Sequence, residues 1–284
     1  MINRKLTLGL ACIILAGSFV FTSYASDFIS AKALAEISDD ENVRIVSVRT
    51  PADYAKVHIE NAVNVYHTDL YQEGDVKGLL KSPEEIAAVL GAQGIAESNT
   101  IVVYDGGKNT PAGRLYWILK YLGASDVHIL DGQMKQWRKA RKPVTKKATE
   151  IEPVTFTPTP NTAIYATIDD VKKEGVFLVD VRSKEEYDGE KGEAARQGHI
   201  PGAIHFEYKN VLNEDDTIKT KEELESLTAD AGITADKEIV LYCETSVRAG
   251  IVFAAFTSIL EFPNVRVYDG ALYEWAADPN NPLE

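Results

Sequence analysis

The stretch "IVSVRTPADYAKVHIENAVNV" (residues 45–65) returns later in the chain as "LVDVRSKEEYDGEKGEAARQGHIPGAIHF" (178–206). Arg49 matches Arg182 at an offset of 133 and His58 matches His199 at 141, so the second copy carries an eight-residue insertion between them. Beyond the insertion the offset settles at 138. Ser82-Pro83-Glu84-Glu85 and Thr220-Lys221-Glu222-Glu223 both carry the Ser/Thr-x-x-Glu pattern that caps a helix start. Tyr104, Asp131 and Trp137 fall on Tyr242, Asp269 and Trp275, and Thr110 falls on Arg248. Copies of about 120 residues exceed solenoid units of roughly 20–50 residues, which predicts two duplicated domains.

Within each copy, short β-branched runs alternate with helical periodicity. In the second, 176–181, 238–242 and 265–268 read as buried parallel strands, and 222–231 and 247–259 as helices. The fold class is therefore α/β, each domain a central, mostly parallel sheet flanked by helices. The domains are expected at 27–145 and 163–284. Between them "KKATEIEPVTFTPTPNT" (146–162), with three prolines and few large apolar residues, reads as a linker.

Residues 1–25 stand apart. Arg4 and Lys5 precede an apolar run from Leu6 to Phe21, and Ser23-Tyr24-Ala25 offers small residues where a signal peptidase reads. The segment is expected to direct export to the periplasm or outside the cell, with cleavage near Ala25; retention as a membrane anchor is the alternative. The full chain carries a net charge of −13, and loss of Arg4 and Lys5 leaves −15. Nucleic-acid binding needs a concentrated basic footprint, so that class is excluded. The five histidines are scattered without ligand spacing, and neither a metal nor an organic cofactor is expected.

Of the two cysteines, Cys12 leaves with the leader, and the mature chain keeps a single thiol, Cys243, in "LYCETSVRAG" (241–250). Ligands of parallel α/β sheets sit beyond the carboxyl ends of strands, and Cys243 ends one. A strand–turn–helix connection points several backbone N–H groups at one spot, and with the Arg248 guanidinium they favour thiolate over thiol. The first copy has Asp105 in place of Cys243. A Cys-x4-Arg loop is one residue shorter than the Cys-x5-Arg loop that rings a phosphate, and better sized for a single added sulfur atom.

In these motifs the chain resembles the tandem-domain rhodaneses, the thiosulfate and 3-mercaptopyruvate sulfurtransferases. The resemblance rests on "DVRSKEEY" (180–187), "GHIPGAI" (198–204), "CETSVRAG" (243–250), "YDGALYEW" (268–275) and, in the first domain, "YDGGKNTPAGRLYW" (104–117). It implies two rhodanese-like domains, the first inactive, and a double displacement through a persulfide on Cys243. The terminal sulfur would be bound by the loop of Glu244, Thr245, Ser246, Val247 and Arg248, then passed to a thiol or cyanide. A small anionic donor calls for cations: Arg248 first, Arg196 in the insertion next, and Arg182 third, although its counterpart Arg49 favours a structural ion pair.

Two residues depart from the family pattern. Glu244 sets a carboxylate beside the nucleophile, and Ser246 stands where many relatives have glycine. His199, matched by His58, and the two tryptophans are expected to be structural. A carrier that sequesters sulfur, selenium or a metalloid without turnover is the alternative reading; a cysteine phosphatase or arsenate reductase is disfavoured by the short loop and Tyr242. The oligomeric state is not legible.

Overall fold

The computed structural model describes residues 26–284; the leader, with Cys12, lies outside the described residues. Among those described, no helix is long and apolar enough to cross a membrane. Twelve short strands form: β1 (Phe28–Ile29), β2 (Val43–Ser47), β3 (His58–Ile59), β4 (Val63–Asn64), β5 (Thr100–Tyr104), β6 (Asp126–Leu130), β7 (Val144–Thr145), β8 (Tyr165–Ala166), β9 (Phe177–Asp180), β10 (Ile204–His205), β11 (Ile239–Tyr242) and β12 (Val265–Tyr268). Ten of them build two five-stranded sheets with one topology, β1-β6-β5-β2-β4 and β8-β12-β11-β9-β10, every pair parallel. The duplication read from the sequence is thus a duplicated sheet, and its central strands are nearly all apolar because both faces are covered.

Local chemistry sets the helix starts. Ser82 and Thr220 each accept the N–H of the glutamate three residues on, and that carboxylate accepts the cap residue's N–H in return, opening the helices Pro83–Ala92 and Lys221–Asp230. Segment 146–162 does not hang free between the domains. Val154 donates to the Gly91 carbonyl, Thr159 to Leu122 and Asn161 to Tyr121, and Phe156 is buried. The segment therefore runs as an extended strap over the first domain.

Each domain keeps an apolar cluster of its own, around Leu34 and Trp137 in the first and Leu272 and Trp275 in the second, but the largest cluster is shared. It runs from Val46 and Ile101 of the first sheet through Leu115, Phe253 and Phe256 to Val179 and Val267 of the second. At its centre the helices Thr110–Tyr121 and Ala249–Ser258 pack face to face, so both are buried almost all round. They touch at Gly113 and Gly250. A Cβ on either glycine would sit well inside van der Waals contact with the other helix's backbone, so only glycine permits this approach.

That contact corrects one pairing. Gly113 meets Ile251 as Gly250 meets Arg114, which makes Gly113 and Gly250 equivalent. Gly250 lies seven residues after Cys243 and Gly113 eight after Asp105, so the first loop is one residue longer and Pro111, not Thr110, answers Arg248.

Candidate active site

Cys243 is the first residue past β11, fully buried. Tyr242 pairs with Asp180 in register, so β11 and β9 leave the sheet at the same level, bringing the loop 243–248 beside the short helix Lys184–Tyr187. The loop is held from behind by the helix Ala271–Ala277: Leu272 donates its N–H to the Cys243 carbonyl and Tyr273 to that of Glu244. Ser246 sits in the left-handed region at φ 56°. A non-glycine residue costs roughly 1–2 kcal/mol there, and its hydroxyl offsets part of that by donating to the Tyr268 carbonyl. Thr245 and Val247 are half-buried, and Thr245 lines the cleft. Among the described residues, no protein acceptor takes the N–H groups of residues 244–248.

The equivalent loop of the first domain has its acceptor built in. Asp105, buried at the end of β5, receives the N–H of Gly107 at 2.6 Å and of Lys108 at 2.9 Å on Oδ1, and of Ala112 at 3.4 Å on Oδ2. Burial pushes its carboxyl up against the pull of those donors. The Asp105 oxygens stand two bonds beyond Cβ, as the outer sulfur of a cysteine persulfide does. The first loop therefore displays, in permanent form, how such a turn wraps a terminal anionic atom.

Arg248 stands beside Cys243, and it is clamped by a residue the sequence reading missed. Its Nη1 and Nη2 donate to the two oxygens of Glu186 at 2.7 and 2.8 Å. Burial works against the guanidinium's charge, yet Glu186 and Cys243 together raise its pKa. Burial likewise opposes the Glu186 carboxylate, but Arg248 and Ser183 hold its pKa well below the ordinary range. Glu186 accepts from the Ser183 N–H at 3.1 Å, capping its own helix while it orients the arginine. The acidic motif "KEEY" after a serine was the available signal.

Glu244 does not project freely into the cleft. It is buried, and its Oε1 receives the N–H groups of Glu193 and Ala194, both at 2.6 Å, so that it ties down the eight-residue insertion. Its pKa is raised by burial, against those two amides, with Glu186 adding to the rise. The insertion roofs a cleft of about 440 Å³ lined by Glu186, Lys191, Glu193, Glu244, Thr245, Arg248 and Tyr273, among others.

The other two arginines are spent elsewhere. Arg182 is fully buried, paired with Asp180 at 2.6 Å and donating to the Gly198 carbonyl at 2.8 Å. Arg196 donates to the carbonyls of Ala276, Asp278 and Asn281, stapling the end of the chain. Neither lines the cleft; Arg182 is held by Asp180 and the Gly198 carbonyl, with its Nη1 left buried and unpartnered, and Arg196 is held by three carbonyls, so the structure places both in supporting contacts away from the cleft. His199 stacks on Tyr187 at 3.7 Å and His58 on Tyr54 at 3.8 Å, each with Nδ1 on that tyrosine's carbonyl. The Trp137 and Trp275 indoles donate to the Pro143 and Pro282 carbonyls, both at 2.8 Å.

The first domain reaches two of the cleft-lining residues, Thr245 and Tyr273, through residues 77–80, a contact that sequence reading missed. Gly78 lies against Thr245, where a Cβ would come within 2.8 Å of its carbonyl. Arg114 donates to the Gly78 carbonyl at 2.8 Å and forms a fully buried ion pair with Asp269 of the second domain at 2.6 Å. Leu80 donates its N–H to Asp269, mirrored by Ile218 to Asp131. Lys77 donates to the Tyr273 hydroxyl at 3.0 Å. A charge in the middle of the apolar run "PAGRLYWIL" (111–119) was the one local sign of Arg114.

Comparison with known proteins agrees with this geometry. The family model of the rhodanese-like domain matches twice, at residues 30–140 and 164–278. A Haloferax volcanii protein named "Putative thiosulfate sulfurtransferase" is 33% identical over 259 residues, 87% of this chain and 90% of that protein. A Thermus thermophilus protein named "Sulfur carrier protein TtuD" is also 33% identical, over 80% of this chain and 93% of its own. Among solved structures, the anaerobic ergothioneine biosynthesis enzyme of Chlorobium limicola, in complex with trimethyl histidine, superposes with a TM-score of 0.81 at 28% identity, covering 91% of this chain and 70% of that one.

Proposed function

The chain belongs to the rhodanese family, and from that premise we propose that it is a sulfurtransferase that carries one sulfane sulfur at a time on Cys243. The Cys243 thiolate attacks the outer sulfur of a small anionic donor, thiosulfate or 3-mercaptopyruvate. With thiosulfate, the Cys243 S–S bond forms as the donor's S–S bond breaks, and the electron pair leaves on sulfite. With mercaptopyruvate the carbon–sulfur bond breaks, and the resulting enolate takes up a proton to give pyruvate. A thiol or cyanide then attacks the outer sulfur and regenerates the thiolate.

The observation that carries this reading is Asp105, whose oxygen occupies in the first loop the place a persulfide's outer sulfur would take in the second. By position, the N–H groups of Thr245, Ser246 and Ala249 answer those of Gly107, Lys108 and Ala112, and they stabilise the sulfur as an oxyanion hole stabilises an oxyanion. Arg248 stands beside Cys243, and Glu186 keeps Arg248 in place. We place this work in the periplasm or outside the cell, after cleavage of the leader near Ala25.

Mass spectrometry tests the proposal. Incubation with thiosulfate or mercaptopyruvate should add one sulfur atom to the protein and none to Cys243→Ser; no adduct with either donor, alongside turnover of a phosphoryl substrate, would sink it. The name of the Thermus relative favours a second reading, a carrier that holds sulfur for a partner. Multiple turnovers with free cyanide or a small thiol separate the catalyst from the carrier.

A further inference from the structure

The cations around the cleft are already answered. Arg248 is bidentate on Glu186 at 2.7 and 2.8 Å, Lys191 lies 3.4 Å from Glu185, and Lys77 lies 4.0 Å from Glu193. Glu244 stands in excess. Its Oε1 is fixed by two main-chain N–H groups at 2.6 Å, and its Oε2 lies 3.8 Å from Arg248, whose two donors Glu186 already holds, with the two carboxyl groups against each other. A carboxylate oxygen accepting two N–H groups is bound as an anion prefers to be bound. The floor beside Cys243 therefore sets two carboxyl groups against one guanidinium. A donor with two negative charges meets more repulsion there than one with a single charge, and the low dielectric of a half-closed cleft enlarges the difference.

Resting on the sulfurtransferase reading, we propose that Glu244 and Glu186 make the cleft floor a charge filter, which admits singly charged or zwitterionic sulfane donors such as organic hydropersulfides and turns away the thiosulfate dianion. Glu244 has a second part in the filter. By holding Glu193 and Ala194 it keeps the insertion, bounded by the positive-φ glycines Gly189 and Gly198, over the cleft, where it limits the water that would screen the charges. In each transfer the Cys243 S–S bond forms while the donor's breaks, and the leaving group departs with the electron pair: a thiolate from a hydropersulfide, sulfite from thiosulfate.

Methanethiosulfonate isolates charge from shape, since a methyl group replaces one oxygen of thiosulfate and the leaving group is methanesulfinate. The full-length mature protein should show kcat/KM for methanethiosulfonate at least about tenfold above that for thiosulfate at low salt, the factor expected for one extra charge at this distance in a partly screened site. The ratio should shrink as ionic strength rises. Glu244→Gln should raise kcat/KM for thiosulfate relative to that for methanethiosulfonate about tenfold. A wild-type ratio at or below one, or a ratio indifferent to salt, overturns the filter whether or not the variant folds. Equal loss for both donors in Glu244→Gln overturns it too, reducing Glu244 to a tether for the insertion. If neither donor adds sulfur to Cys243, it is the sulfurtransferase reading that fails.

Discussion

Loading Cys243 with sulfur should stabilise the whole protein. In the first domain Asp105 satisfies three loop N–H groups; in the second, the corresponding donors gain an acceptor only when the outer sulfur arrives. Three hydrogen bonds to an anionic acceptor, taken at about 1 kcal/mol each because sulfur is a soft acceptor and water is displaced, give roughly 3 kcal/mol. A domain pair of this size shifts its melting temperature by about 2–4 °C per kcal/mol, so the persulfide form should melt roughly 6–12 °C above the reduced one. The shared core makes one cooperative transition the expectation for both forms. Protein loaded with donor, verified by mass and then desalted, is compared by circular dichroism with the same sample stripped by cyanide, Cys243→Ser serving as control. A verified persulfide that melts at or below the stripped protein would refute the idea that the loop is built around a terminal sulfur.

Two further perturbations probe the frame. Gly113→Ala should destabilise by about 3 kcal/mol or more in a denaturant titration, because the obstruction is the backbone of the facing helix and not a side chain that can swing away; a gain in stability, as alanine's helix preference alone would give, contradicts the close crossing. His67, whose Nδ1 lies 2.8 Å from the Tyr71 hydroxyl, is lowered to about 4 by burial and then by the Arg114 guanidinium. The unfolded chain therefore takes up a proton near pH 6.5 that the folded protein refuses until about pH 4, and stability falls through that window by up to about 3 kcal/mol. His67→Gln should lose less stability by about that amount between pH 7 and pH 4 in urea unfolding; equal losses would mean that His67 is not held neutral.

The elements legible in the sequence are those encoded by short range. The strands Ile239–Tyr242 and Val265–Tyr268 declare themselves by β-branched runs, and the capped helices by a serine or threonine three residues before a glutamate. Cys243 was found because the duplication supplied an internal reference, Asp105. What stayed hidden is a matter of partners far apart in the chain. Nothing near Arg196 announces that it will meet three carbonyls some 80 residues on, and nothing near Glu244 announces that two amides of the insertion will take its charge. The same holds for Arg114 and Asp269, whose ion pair spans 155 positions and sets Gly78 against the Cys243 loop. Backbone acceptors carry no sequence signature, so an arginine bound to them reads like one waiting for a ligand.

The segment 271–284 holds the carbonyls of Cys243 and Glu244, receives the Arg196 guanidinium, and pairs through Glu284 with His199. Synthesis runs in the opposite order to this dependence. When Cys243 is made, its strand partners in β9 already exist, but the helix that fixes the turn does not. The Cys243 turn thus acquires its geometry only once residues 271–284 dock, and a proteolytic cut ahead of them would loosen the turn without touching it.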